Sequence, residues 1–233
     1  MMKKIAVVIS CEHAVDTVPE KYIPLFAPFK DLLATHRGID FGALAIAEHM
    51  KKLIPCDLVK ATVTRLLIDC CRSEHHPQCF SEVTRVLSSA EKQEIMNRYY
   101  VPFRQQVIAL IKKHIEQGSQ VWHFSIHTFT PVLNDIVRDV DIGILYDPRR
   151  LPEKMLAKQW KKEIKKQSLA YKIKMNYPYK GISDGFTSTL RKQYTYEDYL
   201  GIEVESNQAL TTNAQNLDTL KNILTNSLLK LIC

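Results

Sequence analysis

Short apolar, β-branched segments alternate with longer amphipathic segments along most of the chain, and this alternation limits the possible folds more than any other feature. The first kind is typical of buried strands, and the second kind repeats apolar residues at helical spacing. The predicted strands are Lys4–Ile9, Asp57–Asp69, Val121–His127, Asp141–Pro148, Tyr171–Met175 and Leu200–Asn207. Strands that alternate with helices predict an α/β fold, a three-layer α/β/α arrangement around a mixed, largely parallel sheet.

The helices are predicted from apolar stripes and start signals. Asp40 precedes a stripe that begins at Ala43, so it stands either as a plain N-cap or as a functional carboxylate. A capping box at Ser88–Glu91 opens a helix that we expect to reach Gly118, with a kink or break at Pro102. Further helices are predicted at Leu151–Ser168 and Thr212–Cys233. No linker divides the chain, which predicts a single domain over residues 1–233.

Composition excludes some classes of function. With 45% hydrophobic and 24% charged residues, the chain resembles a globular protein without a membrane span, and we expect it in the cytoplasm. Its 6 cysteines form no CxxC pair, which favours reduced thiols. The net charge of +7 is concentrated around Lys158–Lys166. Without interleaved aromatic residues, this cluster favours a solvated helix face over a nucleic-acid site.

Polar side chains stand at the ends of several predicted strands. If these strands are neighbours, their carboxyl ends meet at one cleft, the usual ligand site of an open α/β sheet. Two imidazoles and one carboxylate are the ligands of a catalytic zinc site, which acidifies a bound water. A further carboxylate would serve as general base, and arginines would bind a carboxylate substrate. The candidates are Glu12, His13, Asp40, Arg65, Asp69, Arg72, His127, Glu203 and Glu205.

Seven motifs in order resemble those of the N-formylglutamate amidohydrolase family. The resemblance extends from Ile5 to Asn207, and it implies a phosphorylase/hydrolase-like fold and metal-dependent hydrolysis of the formyl amide of N-formylglutamate, a step of histidine catabolism. The motifs are Ser10–Ala14, His36–Ala43, Thr64–Asp69 with Arg72, Ser125–Pro131, Asp141–Asp147, Asn176–Gly181 and Gly201–Glu205.

The metal ligands follow from a further resemblance, to zinc cell-wall amidases. That pattern implies His13, Asp40 and His127 as ligands of a divalent metal, most simply Zn²⁺, and Glu203 as the general base. Zinc carboxypeptidases instead take two ligands from one HxxE loop, a spacing that is absent here. Glu12, adjacent to His13, therefore remains the rival of Asp40 as the third ligand.

The expected substrate is a small N-acyl amino acid that carries carboxylates. Arg65 and Arg72 would hold these carboxylates, and the loop Asn176–Gly185 would close over them with Asn176 and Tyr179. Two departures from the family pattern, Arg104 and the stretch Arg191–Gln193, stand where members often carry His. They leave two alternatives open: a hydrolase of the same fold that acts on a peptide stem, another acyl amino acid or an ester, and a non-catalytic anion-binding module. The sequence does not predict the oligomeric state.

Overall fold

A mixed, mostly parallel sheet forms the centre of the computed structural model, which describes residues 3–232. The strands are β1 (Lys4–Cys11), β2 (Cys56–Lys60), β3 (Ser119–Phe129), β4 (Val132–Leu133), β5 (Ile136–Val137), β6 (Ile142–Leu145), β7 (Ile173–Met175) and β8 (Tyr199–Asn207). The 6-stranded sheet has the order β2-β1-β3-β8-β6-β7, and β4 pairs with β5 in a separate hairpin. The first four strands of that order are parallel, and β6 runs antiparallel to β8.

Helices cover both faces of this sheet. They are α1 (Ile23–Phe26), α2 (Lys30–Leu33), α3 (Ala43–Leu53), α4 (Ser89–Ile95), α5 (Val101–Glu116), α6 (Leu151–Gln167), α7 (Phe186–Gln193) and α8 (Ala214–Ile232). Apolar residues of α3, α6 and α8 form one core with the sheet, and those of α5 and α7 form the second core on the opposite face. The predicted three-layer α/β/α fold is thereby confirmed.

The second strand is shorter in the structure than the sequence predicts. The strand β2 ends at Lys60, which pairs with Cys11, the last residue of β1. Beyond this point no strand pairing of this segment occurs among residues 3–232, so the part predicted to extend to Asp69 is irregular and not strand. Leu66, Leu67 and Ile68 are nonetheless buried in the core beneath α5. Their apolar character therefore reflects burial and not strand formation.

The interruption expected at Pro102 is present. A π-helical turn, Met96–Tyr100, separates α4 from α5 and ends two residues before this proline, which has no N–H to donate. At the end of the chain, the predicted helix begins at Ala214, and Cys233 lies outside the described residues. Within residues 3–232, no helix has the length and apolar character that crossing a bilayer requires.

Candidate active site

One face of the sheet becomes polar toward the carboxyl ends of its parallel strands. Residues two apart in a strand point to the same side, and Ser10, His123, Ser125, His127 and Glu205 all lie on the face covered by α5 and α7. Each of them is buried. In open α/β sheets this carboxyl edge is where ligands bind, so the polar side chains mark the candidate site.

Two imidazoles and a carboxylate meet at this edge from three separate parts of the chain. His13 follows β1, Asp40 precedes α3, and His127 lies near the end of β3. The Oδ2 atom of Asp40 is 3.2 Å from Nδ1 of His13 and 3.0 Å from Nδ1 of His127. All three side chains are buried, and one potential ligand atom from each lies within 4.8 Å of the others. This donor set could hold a divalent metal ion.

Asp40 does not serve as a side-chain N-cap. The cap position of α3 is Gly42, and no side chain caps this helix. The backbone carbonyl of Asp40 accepts from the N–H of Ala43, while its carboxylate faces the two histidines. The plain capping interpretation of Asp40 is therefore wrong, because its side chain contacts residues far away in the chain.

The Nε2 side of each imidazole is held by a further carboxylate, in one case directly and in the other through a serine hydroxyl. Nε2 of His13 is 2.8 Å from Oδ1 of Asp69. Nε2 of His127 is 2.9 Å from the Ser125 hydroxyl, which in turn donates to Oε2 of Glu12 over 2.8 Å. Each Nε2 atom therefore has an acidic or polar partner of its own, and loss of the Nδ1 proton that bonds to Asp40 would leave both Nδ1 atoms available to a metal. Metal-binding histidines usually have this arrangement, in which the second N–H is held by an acidic or polar group.

Glu12 lies behind His127 and outside the cluster of possible ligand atoms. Its two carboxylate oxygens accept hydrogen bonds from Ser10 (2.6 Å) and Ser125 (2.8 Å), and its Oε2 is 3.4 Å from Nε2 of His127. Such a carboxylate orients a histidine, whereas Asp40 faces both Nδ1 atoms. The geometry favours Asp40 over Glu12 as third ligand.

The hydrogen bonds to Glu12 belong to a longer, buried hydrogen-bond chain. Ser10 accepts from Nε2 of His123 over 2.8 Å, and Nδ1 of His123 lies 2.8 Å from the Tyr199 hydroxyl. Every donor in this chain has an acceptor only if His123 is neutral. Consistently, burial lowers the pKa of His123 to about 4. This hydrogen-bond chain fixes the position of Glu12 and, through Ser125, that of His127.

The electrostatics of the cluster favour a positive charge. Burial raises the pKa of Asp40, but the charge of His13, hydrogen bonds from both histidines and the charge of Arg65 lower it further, so its pKa lies below the usual range. The pKa of Asp69 is lowered for similar reasons, with His13 and Arg65 outweighing burial. Burial lowers the pKa of His127, but its hydrogen bond to Asp40 is among the causes that raise it well above the usual value. The same field would stabilise a divalent cation.

The cluster lines a cavity of about 200 Å³, which we call the metal pocket. Arg65 and Arg72 also line it. The guanidinium of Arg65 donates to Asp40 over 3.2 Å and to Asp69 over 3.0 Å. That of Arg72 donates to the backbone carbonyl of Asp184 over 3.0 Å. Arg65 therefore neutralises the acidic groups of the site, and Arg72 is the more available of the two for a substrate.

Two glutamates of β8 line the metal pocket from the other side. The strand register places Glu203 opposite Ser125 and Glu205 opposite His127. Oε1 of Glu203 accepts a hydrogen bond from Thr187. Oε2 of Glu205 is buried and has no hydrogen-bond partner among the described residues. Burial raises the pKa of Glu205 to about 8.

Comparison with known proteins now identifies the family. The model of the N-formylglutamate amidohydrolase family matches residues 5–212. The chain belongs to the N-formylglutamate amidohydrolase family. A gene product of Agrobacterium tumefaciens is 30% identical, with a TM-score of 0.79 over 98% of this chain and 92% of the other. An N-formylglutamate amidohydrolase of Ralstonia eutropha shares the fold at 19% identity, with a TM-score of 0.73 over 99% and 93%. The comparison with curated proteins found no match.

The loop Asn176–Gly185, which the sequence predicts to close over a substrate, lies beside the metal pocket. Tyr179 lines the pocket, and its hydroxyl accepts from Arg138 over 3.1 Å. Asn176 is not among the residues that line it. Its amide oxygen instead accepts from the backbone N–H of Tyr146 (3.0 Å) and of Gly181 (3.1 Å), which holds the loop against the sheet.

Arg104, one departure from the family pattern, has a position that the sequence did not reveal. It is buried, with its guanidinium 4.1 Å from the centre of the Phe186 ring. It donates to the backbone carbonyls of Cys70 (3.2 Å) and Arg72 (3.1 Å). Arg104 thus holds the segment that carries Asp69 and Arg72, behind the metal pocket and not in it.

Proposed function

We propose that the chain is a metal-dependent amidohydrolase that cleaves N-formylglutamate or a similar N-acyl amino acid, with Zn²⁺ as the metal. The observation that carries the proposal is the buried cluster of His13, Asp40 and His127, with each imidazole held by a second acidic group. These ligands match a catalytic zinc site, in which three protein ligands leave a position for water. The cytoplasm is the proposed location.

In the reaction, water adds to the acyl carbon, the amide C–N bond breaks, and a carboxylic acid and a free amine are released. The metal would supply Lewis acidity toward the acyl oxygen and lower the pKa of the attacking water. The protein has three tasks: to take the proton of that water, to return a proton to the leaving nitrogen, and to hold the substrate carboxylates.

A glutamate of β8 is the proposed proton carrier. The sequence predicts Glu203 in this role, and Glu205 is the second candidate. Two observations favour Glu205: it lies opposite His127 in the strand register, and its Oε2 has no partner among the described residues. Oε1 of Glu203 is already bonded to Thr187. A general base must be within hydrogen-bond reach of the proton that it removes.

The substrate carboxylates are assigned to Arg72 and Arg65. Guanidinium groups bind carboxylates through two parallel hydrogen bonds. Because Arg65 already contacts Asp40 and Asp69, we propose that Arg72 makes the larger contribution. Tyr179 and Asn176 would act through the loop, Tyr179 at the pocket and Asn176 as its support.

Metal removal tests the proposal. Protein stripped with a chelator should lose formate release from N-formylglutamate, and stoichiometric Zn²⁺ should restore it. Unchanged turnover in protein shown by elemental analysis to be metal-free would refute a metal-dependent mechanism. A panel of N-formyl, N-acetyl, peptide and ester substrates distinguishes the amidohydrolase from a hydrolase of another substrate class. Sub-stoichiometric metal together with salt-sensitive anion binding would instead support a binding module.

A further inference from the structure

A second and larger cavity adjoins the metal pocket. It measures about 510 Å³, against about 200 Å³ for the metal pocket, and Arg65 and Arg72 line both. Pockets that bind small molecules usually measure about 300–1,000 Å³. The metal pocket alone is smaller than this range, and the adjoining cavity lies within it. We call the larger cavity the arginine cleft, because Arg37 and Arg85 also line it.

The charges of the arginine cleft are only partly neutralised by the protein. Arg37 pairs with Glu82 over 2.8 Å, and Arg65 pairs with Asp40 and Asp69. Among the described residues, Arg72 and Arg85 have no carboxylate within ion-pair distance. One guanidinium without a carboxylate partner therefore lies at the boundary with the metal pocket, and a second lies in the arginine cleft alone.

Four apolar side chains form part of the rest of the wall, together with the polar Gln78, Ser81 and Asn134. Leu66, Pro77, Phe80 and Leu133 line the arginine cleft. A site with aliphatic and aromatic walls and cationic groups fits a short hydrocarbon chain with an anionic end, because the methylenes contact the walls while the anion meets a guanidinium. A formyl group, which has a single carbon, does not reach beyond the metal pocket.

On the basis of the proposed amidohydrolase function, we infer that the arginine cleft binds an acyl chain that ends in a carboxylate. The substrates would then be N-(ω-carboxyacyl) amino acids, in which the acyl carbon lies at the metal and the distal carboxylate at Arg85. Hydrolysis of such a substrate consumes one water, breaks the amide C–N bond and releases a dicarboxylic acid and an amino acid.

The test compares two acyl chains of equal length, glutaryl and pentanoyl, on glutamate, with N-formylglutamate as reference. With zinc-loaded protein, kcat/KM for the glutaryl substrate should exceed that for the pentanoyl substrate. Arg85→Gln should lower this ratio about tenfold, the effect expected for the loss of one charge-assisted hydrogen bond. The matched control is Arg98→Gln, which removes an exposed arginine stacked on Tyr99 and should leave the ratio unchanged.

Calorimetric titration with glutarate and pentanoate gives a readout that does not depend on turnover. Glutarate should bind the zinc-loaded protein more tightly than pentanoate, and Arg85→Gln should remove about tenfold of that advantage. If N-formylglutamate is hydrolysed while glutarate and pentanoate bind equally, the arginine cleft is not a carboxylate site and the proposed function remains. If no amide is hydrolysed, the proposed function fails, and glutarate binding alone decides the inference.

Discussion

Glu205 of β8 lies directly opposite His127 of β3 in the parallel register of the two strands. This pairing brings a buried carboxylate, with one oxygen that has no partner among residues 3–232, to the edge of the His13–Asp40–His127 cluster. An unpaired polar atom in a protein interior costs free energy. Such a cost is typical of groups retained for function, and it motivates the first two predictions.

Paired substitutions should separate the two glutamates. Glu205→Gln should keep the metal but lower kcat by about 10²–10⁴-fold, the usual contribution of a general base. Glu203→Gln should have the smaller effect, because Glu203 already accepts from Thr187. The measurement is formate release with metal content checked in parallel, and exposed Glu197→Gln is the control. A larger loss in Glu203→Gln would show that the sequence-based assignment is correct.

The stability of the metal-free protein should reveal the raised pKa of Glu205. Its pKa is 4.5 in an ordinary setting and about 8 when buried here. Between these values the unfolded chain has released the proton while the folded chain retains it, so the folded state loses stability as pH rises. Relative to wild type, the free energy of unfolding of Glu205→Gln should increase by about 1.4 kcal/mol for each pH unit of increase across this window.

Urea unfolding of both metal-free proteins at pH 5, 6, 7 and 8, about the span of this window, gives the required comparison. A difference between variant and wild type that stays constant with pH would show that Glu205 titrates normally. Saturating Zn²⁺ provides an internal control, because a nearby cation lowers the pKa of a carboxyl. The pH dependence of the difference should then decrease.

Metal affinity should decide between Asp40 and Glu12. Asp40→Asn removes a proposed ligand and should abolish tight binding. Glu12→Gln removes only a group that orients His127 through Ser125, and the loss of such a partner usually weakens metal affinity by about 10–100-fold. Competition with a fluorescent zinc chelator measures both. The reverse order of effects would make Glu12 the ligand.

The two arginines should have different kinetic effects. Arg65→Lys removes the guanidinium group that contacts both Asp40 and Asp69, so it should weaken metal binding and lower Tm. Arg72→Lys keeps the charge but loses bidentate contact, and should raise KM for N-formylglutamate by about tenfold with the metal retained. Steady-state kinetics and thermal unfolding of both variants provide the comparison. Equal changes in KM would assign both arginines to the substrate.

Removal of the Tyr199 hydroxyl should reduce stability. In Tyr199→Phe, Nδ1 of the buried His123 loses its donor, and an unsatisfied buried acceptor costs about 1–3 kcal/mol. Urea unfolding measures this change in the free energy of unfolding. The control is Tyr196→Phe, an exposed position where the change should be close to zero. Equal effects at both positions would mean that the buried hydrogen-bond chain contributes little.

Local patterns in the sequence were sufficient for the layers of the fold. The periods of two and of 3–4 residues reflect which side chains are buried, and neighbours along the chain determine them. For the same reason, the ends of β1 and β3 were predicted near His13 and His127. The pattern failed where burial occurs without a strand, as in the segment Leu66–Ile68, since apolar residues pack equally well in a buried turn.

The sequence by itself therefore determined the sheet, its helices and the presence of imidazoles and carboxylates at strand ends. Only the tertiary structure decided which atoms meet. The parity of β8 placed Glu203 and Glu205 on one face, but the register with β3 selected Glu205 as the neighbour of His127. The turn before α3 directed Asp40 toward both histidines. Register and side-chain direction depend on hydrogen bonds between distant segments, which no local period encodes.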